Sequence, residues 1–108
     1  MLVTNKDLLS RARQKAYAVG AFNINTLESL LAVFEAATEE KSPVIIAVTP
    51  SAIKYAGLPY LTKIVKTAAE SAPVPMSLHL DHGENFEIVS KCIETGFTSV
   101  MIDGSFLK

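Results

Sequence analysis

Asp81 and His82 stand side by side in the run Leu78–Gly83 (LHLDHG). A carboxylate next to an imidazole offers a proton carrier and a metal ligand in one place. Gly83 follows and lets the backbone turn tightly. The plainer role for such an Asp is to cap a following helix, so the pair gains meaning only from its surroundings. Other polar groups recur at matching places: Asn23 and Asn25, then Thr49 and Ser51, then Asp103 and Ser105, each at the end of an apolar run. If these runs are parallel strands, all four polar ends lie on one side of the sheet and converge on a single site. His79 shares a strand face with Asp81, because side chains alternate with period 2. It reads better as a hydrogen-bonded interior histidine than as a ligand. Asp103 is open between orienting groups at the site and capping a loop. Cys92 lies on an apolar helix stripe and reads as core. Lys54 and Lys91 read as solvated helix-face charges. A Schiff-base lysine usually sits at a strand end, and none of these ends carries one.

The elements that must position these residues alternate. Thr4 is placed to cap a first helix with Asp7 in its first turn and Leu8, Leu9, Ala12 and Ala16 on one stripe. Ala18–Asn25 reads as a short strand. Thr26 caps a helix whose stripe is Leu27, Leu30, Leu31, Phe34 and Ala37. Pro43–Thr49 is apolar throughout, which fits a strand covered on both faces. Pro59 suits the first turn of a third helix with Leu61, Ile64, Val65 and Ala68 inward. Val74–Leu80 is a third strand. Asn85 caps a helix with Val89, Cys92 and Ile93 inward, ended by Gly96. Thr98–Asp103 is a fourth strand. The order is one helix, three βα units and a last strand, with spacings long enough for helical crossovers. The expectation is an α/β fold with a parallel sheet, right-handed connections and no internal domain boundary over 1–108.

Composition removes several function classes. The 108 residues carry 10 Lys+Arg against 11 Asp+Glu, a net charge of -1, so no basic field exists to grip a phosphate backbone. Nucleic acid is not an expected partner. No apolar run reaches the ~18 residues needed to span a bilayer, so no membrane is expected either. The first residues lack a charged head followed by an apolar stretch, and a secretory leader is not expected. One Cys excludes an internal disulfide framework. The expected setting is cytoplasmic.

Four segments, in order, carry a resemblance: Ala21–Asn25 (AFNIN), Lys54–Gly57 (KYAG), Leu78–Gly83 (LHLDHG) and Gly96–Ser105 (GFTSVMIDGS). Together they resemble the N-terminal part of a class II, metal-dependent fructose-bisphosphate aldolase, a family with close relatives among the tagatose-bisphosphate aldolases. The resemblance implies a (β/α)8 TIM barrel, of which this chain supplies about the first four strands. It implies that Asp81 is the proton carrier, that His82 is a zinc ligand, that Asn25 contacts substrate near its carbonyl, and that Thr49 presents a hydroxyl near substrate. Asp103 matches an acidic position near the metal.

The implied reaction is reversible aldol cleavage of a ketose 1,6-bisphosphate, fructose or tagatose, to dihydroxyacetone phosphate and glyceraldehyde 3-phosphate. Cleaving the C3–C4 bond leaves enediolate charge, which a divalent cation stabilises as a Lewis acid. A carboxylate must take the C4 hydroxyl proton and return it on condensation. The sequence departs from the family at two points. The second strand ends Thr49-Pro50-Ser51-Ala52 where Ser, a variable residue and Gly are commoner, and Phe106 follows Ser105 where His is common. A full barrel needs about 250 residues. A catalytic zinc usually takes three protein ligands, the family uses three histidines, and this chain has only His79 and His82. The remaining ligands are expected outside it. The alternative is a non-catalytic half-barrel acting as a structural or assembly module. Its open edge strands would drive pairing, and association into a homo-oligomer is expected.

Overall fold

The computed structural model describes residues 1–107. Helix α1 (Asn5–Lys15) precedes strand β1 (Gly20–Asn23). Then come α2 (Leu27–Glu39), β2 (Val44–Val48), α3 (Pro50–Ala56), α4 (Leu58–Ser71), β3 (Met76–Gly83), α5 (Phe86–Thr95), β4 (Ser99–Ile102) and a 3-10 turn at Gly104–Phe106. The four strands form one parallel sheet in the order β1-β2-β3-β4, each pairing with its successor. The alternating pattern is therefore realised as expected.

Helix starts follow capping chemistry. The Thr4, Thr26 and Asn85 side chains accept from the backbone N–H groups of Asp7, Ser29 and Ile88. Ser29 returns a bond to the Thr26 N–H and completes a capping box. Gly96, at φ +115°, ends α5 in the left-handed region that glycine enters without a Cβ penalty.

The sheet has two faces of different character. Val44, Ile46, Val48, Met76, Leu78 and Leu80 meet Leu30, Leu61, Val65 and Cys92 from the helices in one core. On the opposite face, the paired residues are Ile45 with Ser77, Ala47 with His79, and His79 with Ser99. Helix α1 reaches that second face, where the Ser77 hydroxyl donates to the Asn5 side-chain oxygen. All five residues of β2 are buried, as its unbroken apolar run requires.

The outer strands are open. Every residue of β1 is exposed, and Phe22 and Ile102 are 50% and 55% exposed. An apolar groove of about 380 Å³ runs beside β1 between Phe22, Val33, Ala36 and Val44. These are the places where a closed barrel puts its next strands and helices. Four parallel strands in sequential order with both edges open fit part of such a barrel.

Several details differ from the periodicity reading. β1 begins at Gly20 rather than Ala18. Pro50–Ala56 forms a helix of its own, with Pro50 in its first turn and the Thr49 side chain accepting from the Ala52 N–H. Leu9, Leu27, Leu31 and Ile93 are exposed rather than inward. Ala16 is also exposed, as the left-handed C-cap of α1. Leu27 and Leu31 instead line a groove between α2 and α4. β3 runs on to Gly83, past the expected end at Leu80.

That extension depends on Gly83. A Cβ there would stand 2.7 Å from the Met101 carbonyl oxygen and 2.8 Å from a Val89 methyl. The first obstacle is backbone and cannot rotate away. Gly83→Ala is expected to destabilise the fold by about 1–3 kcal/mol through overpacking. A urea unfolding midpoint equal to that of the parent would contradict this.

Candidate active site

The strand-end polar groups lie at one end of the sheet because all four strands are parallel. Within that end, β3 and β4 bring three predicted residues into contact. Leu80 pairs with Val100 and Gly83 pairs with Ile102, so Asp81 and His82 together stand opposite the single residue Met101. This is a β-bulge, which re-aims side chains at the point where it interrupts a ladder. His82 takes φ +56° there. In a regular strand Asp81 and His82 would point to opposite faces. With the bulge, the His82 ring stands 3.7 Å (Nε2) from Asp81 Oδ2 and 2.8 Å (Nδ1) from Asp103 Oδ2.

Asp103 is held on every side. Its backbone N–H donates to the Gly83 carbonyl at 2.8 Å, Oδ1 accepts from the Ser105 N–H at 2.9 Å, and Oδ2 takes the His82 Nδ1. Hydrogen bonds from Ser105, then that from His82, hold its carboxyl down to about 2. It is therefore ionised throughout the neutral range and favours a proton on His82 Nδ1. The same carboxylate bond, with the charge of Asp81 behind it, raises the His82 pKa. In the neutral ring this leaves the Nε2 lone pair free, since 3.7 Å to Asp81 is too long for a hydrogen bond. A carboxylate that fixes the tautomer and direction of an imidazole is how metal-ligating histidines are commonly oriented.

Asp81 is partly covered, with its side chain 26% exposed. Among the described residues no hydrogen bond occupies its carboxylate, which leaves it open to a substrate hydroxyl. His79, on the same strand face, bonds through Nδ1 to the Ser99 hydroxyl at 2.7 Å. Burial lowers its pKa, against the pull of Asp81. This is the hydrogen-bonded interior histidine that alternation suggested. Asn25 follows β1, exposed, with its N–H donating to Ser29 Oγ. Thr49 follows β2, and its hydroxyl caps α3 and lies 3.2 Å from Ser51 Oγ. No hydrogen bond among the described residues ties either to the Asp81–His82–Asp103 cluster.

Cys92 is fully buried, and burial pushes its thiol up to about 11, so it is core. Lys54 and Lys91 are exposed on helices, Lys91 beside Glu87. The sequence reading did not single out Ser99, Ser77 or Asn5. The one available signal was Ser99, a polar residue opening an otherwise apolar strand.

The metal chemistry can be tested on the donor set. His82 presents one free imidazole nitrogen with an anionic partner behind it, which suits a borderline divalent cation such as zinc. Among the described residues no cluster of three or more His, Cys, Asp or Glu side chains can hold a metal ion. The described residues therefore fit at most one ligand of such a site. No helix among the described residues is long and apolar enough to cross a membrane.

Residues 3–108 match the family model described as "Fructose-bisphosphate aldolase class-II". The chain is 51% identical over 105 residues to a fructose-bisphosphate aldolase of Thermus caldophilus, covering 97% of this chain and 34% of that protein. It is 48% identical over 106 residues to one of Helicobacter pylori, covering 97% and 34%. Among solved structures it resembles the YdjI aldolase of Escherichia coli K12, with a TM-score of 0.90 and 33% identity, over 97% of this chain and 40% of that one. The chain spans about a third of the length of the curated relatives it matches.

Proposed function

The chain belongs to the class II fructose-bisphosphate aldolase family, and on that premise we propose that residues 1–108 form the N-terminal half of one barrel, without an internal boundary, and contribute part of its active site. The reaction is reversible aldol cleavage of a ketose 1,6-bisphosphate, fructose or tagatose, to dihydroxyacetone phosphate and glyceraldehyde 3-phosphate, a step of glycolysis. The observation that carries this reading is the bulge. It turns two consecutive residues, a carboxylate with no hydrogen bond among the described residues and an imidazole backed by Asp103, toward one another.

Asp81 is the proton carrier. Its carboxylate takes the C4 hydroxyl proton as the C3–C4 bond breaks and returns a proton to the aldehyde oxygen on condensation. His82 would hold the metal through Nε2, with Asp103 fixing the ring through Nδ1. A zinc ion held by His82 and further ligands would supply Lewis-acid stabilisation of developing negative charge. Asn25 and Thr49, at the ends of β1 and β2, bind substrate. The proposed setting is a cytoplasmic homo-oligomer.

The test is cleavage of fructose 1,6-bisphosphate and tagatose 1,6-bisphosphate by the full barrel that carries these residues, with and without a chelator. Chelator-sensitive cleavage of either sugar supports the reading. Cleavage indifferent to the chelator removes the metal from it. A second reading, a half-barrel that acts only in assembly, is favoured by the open β1 and β4 edges and predicts a stable, zinc-indifferent oligomer without cleavage.

Asp103 supplies a separate prediction. Asp103→Ala removes the acceptor that fixes His82 and is expected to weaken zinc binding about 10–100-fold. Competition with a metallochromic chelator measures it, and unchanged affinity would show that the ring needs no such support.

A further inference from the structure

A second cluster of polar side chains lies on the barrel-interior face, outside the groups assigned above. The Ser77 hydroxyl donates to Asn5 Oδ1. That bond turns the Asn5 amide nitrogen toward His79 Nδ1, 3.4 Å away. Ser99 Oγ lies 2.7 Å from the same nitrogen. The Asn5 amide nitrogen can only donate, so Nδ1 is its acceptor when the ring proton sits on Nε2. The cluster thus joins α1, β3 and β4 through one imidazole.

Its place in the ladder gives it a use. His79 pairs with Ser99, and Leu80 with Val100 is the last regular pair before the bulge. The His79–Ser99 bond is therefore a side-chain link across β3 and β4 just below the point where the ladder gains a residue. A one-residue slip in a strand sends every side chain to the other face. A link at this position fixes where the extra residue falls, and so how Asp81 is aimed, whereas the His82 ring is tethered separately by Asp103.

We propose that His79 is a positioning residue for Asp81: through Ser99 and Asn5 it fixes the register of β3 below the bulge and so sets the direction of the Asp81 carboxylate. This rests on the aldolase reading above. Burial also lowers the pKa of the ring, against the pull of Asp81.

The experiment uses the full-length zinc-loaded enzyme that carries these residues, with variants His79→Phe, His79→Asn, Ser99→Ala and the His79→Phe/Ser99→Ala double. Loss of aim at Asp81 is expected to lower kcat about 10- to 100-fold in His79→Phe, with KM and zinc content at parental values. His79→Asn, whose amide oxygen can accept from Ser99, is expected to recover most of kcat. Ser99→Ala is expected to fall in the same direction, and the double variant to be no worse than His79→Phe alone, because both remove one link. Parental kcat in folded His79→Phe and Ser99→Ala overturns the proposal. So does a loss of kcat in step with zinc or fold that His79→Asn does not rescue. If His79→Phe does not fold, Ser99→Ala alone decides. A parent enzyme that cleaves neither sugar overturns the aldolase reading itself. Cleavage lost in Asp81→Ala but intact in the His79 variants overturns only this inference.

Discussion

Asp81→Ala in the full barrel is expected to lower ketose-bisphosphate cleavage by about 10²–10⁴-fold while leaving zinc bound. The magnitude is that of removing a positioned proton carrier. Among the described residues, the other titratable groups near Asp81 are poorly placed to take that proton. Asp103 is engaged by Ser105 and His82, and its carboxyl, held down to about 2, is a poor base near neutrality. His79 is already engaged at Nδ1 by the Ser99 hydroxyl. Zinc stays because the proposed ligand is the next residue, whose ring is fixed by Asp103 rather than by Asp81, 3.7 Å away. Asp81→Asn separates shape from charge. It preserves volume and removes the base, and it should be as inactive as Asp81→Ala. Normal turnover in either variant would remove Asp81 from the chemistry.

His82→Ala is expected to lose metal and activity together, a different signature from Asp81→Ala. Zinc content by elemental analysis distinguishes the two. The backbone adds a second expectation. His82 sits at φ +56°, a conformation that costs a side-chain-bearing residue about 1–2 kcal/mol and glycine almost nothing. His82→Gly should therefore be more stable than His82→Ala by about 1 kcal/mol, with both inactive and zinc-poor. Equal unfolding midpoints for the two would mean that the bulge is not strained at His82. Higher stability in the glycine variant would mark the strain as the cost of turning a histidine toward Asp81 and Asp103, a conformation held in place for function.

The parallel sheet and its helix caps were legible because they depend on local signals. Thr4, Thr26, Asn85 and Gly96 all act where their types placed them. The apolar β2 is buried throughout as its run required. Of the expected site residues, Asp81, His82 and Asp103 stand together, while no hydrogen bond among the described residues ties Asn25 or Thr49 to them. Alternation alone would put Asp81 and His82 on opposite faces, and only the pairing of β3 with β4 reveals the extra residue between them. Asp103 was open between capping and orienting because it does both: Oδ1 takes the Ser105 N–H and Oδ2 takes His82. The helix at Pro50–Ala56 was missed because its seven residues are too few to show a period. Leu27, Leu31 and Ile93 sit on helical stripes but exceed what one sheet face can cover, and they remain exposed. Periodicity counts apolar residues and does not say how wide the buried stripe is.

The most direct test of the central claim is fructose and tagatose bisphosphate cleavage by the full barrel, with zinc content measured on the same sample, for the parent and Asp81→Ala. The account predicts chelator-sensitive cleavage in the parent and a zinc-loaded but inactive Asp81→Ala enzyme. A folded, zinc-loaded parent that cleaves neither sugar, or an Asp81→Ala enzyme that turns over normally, would contradict it.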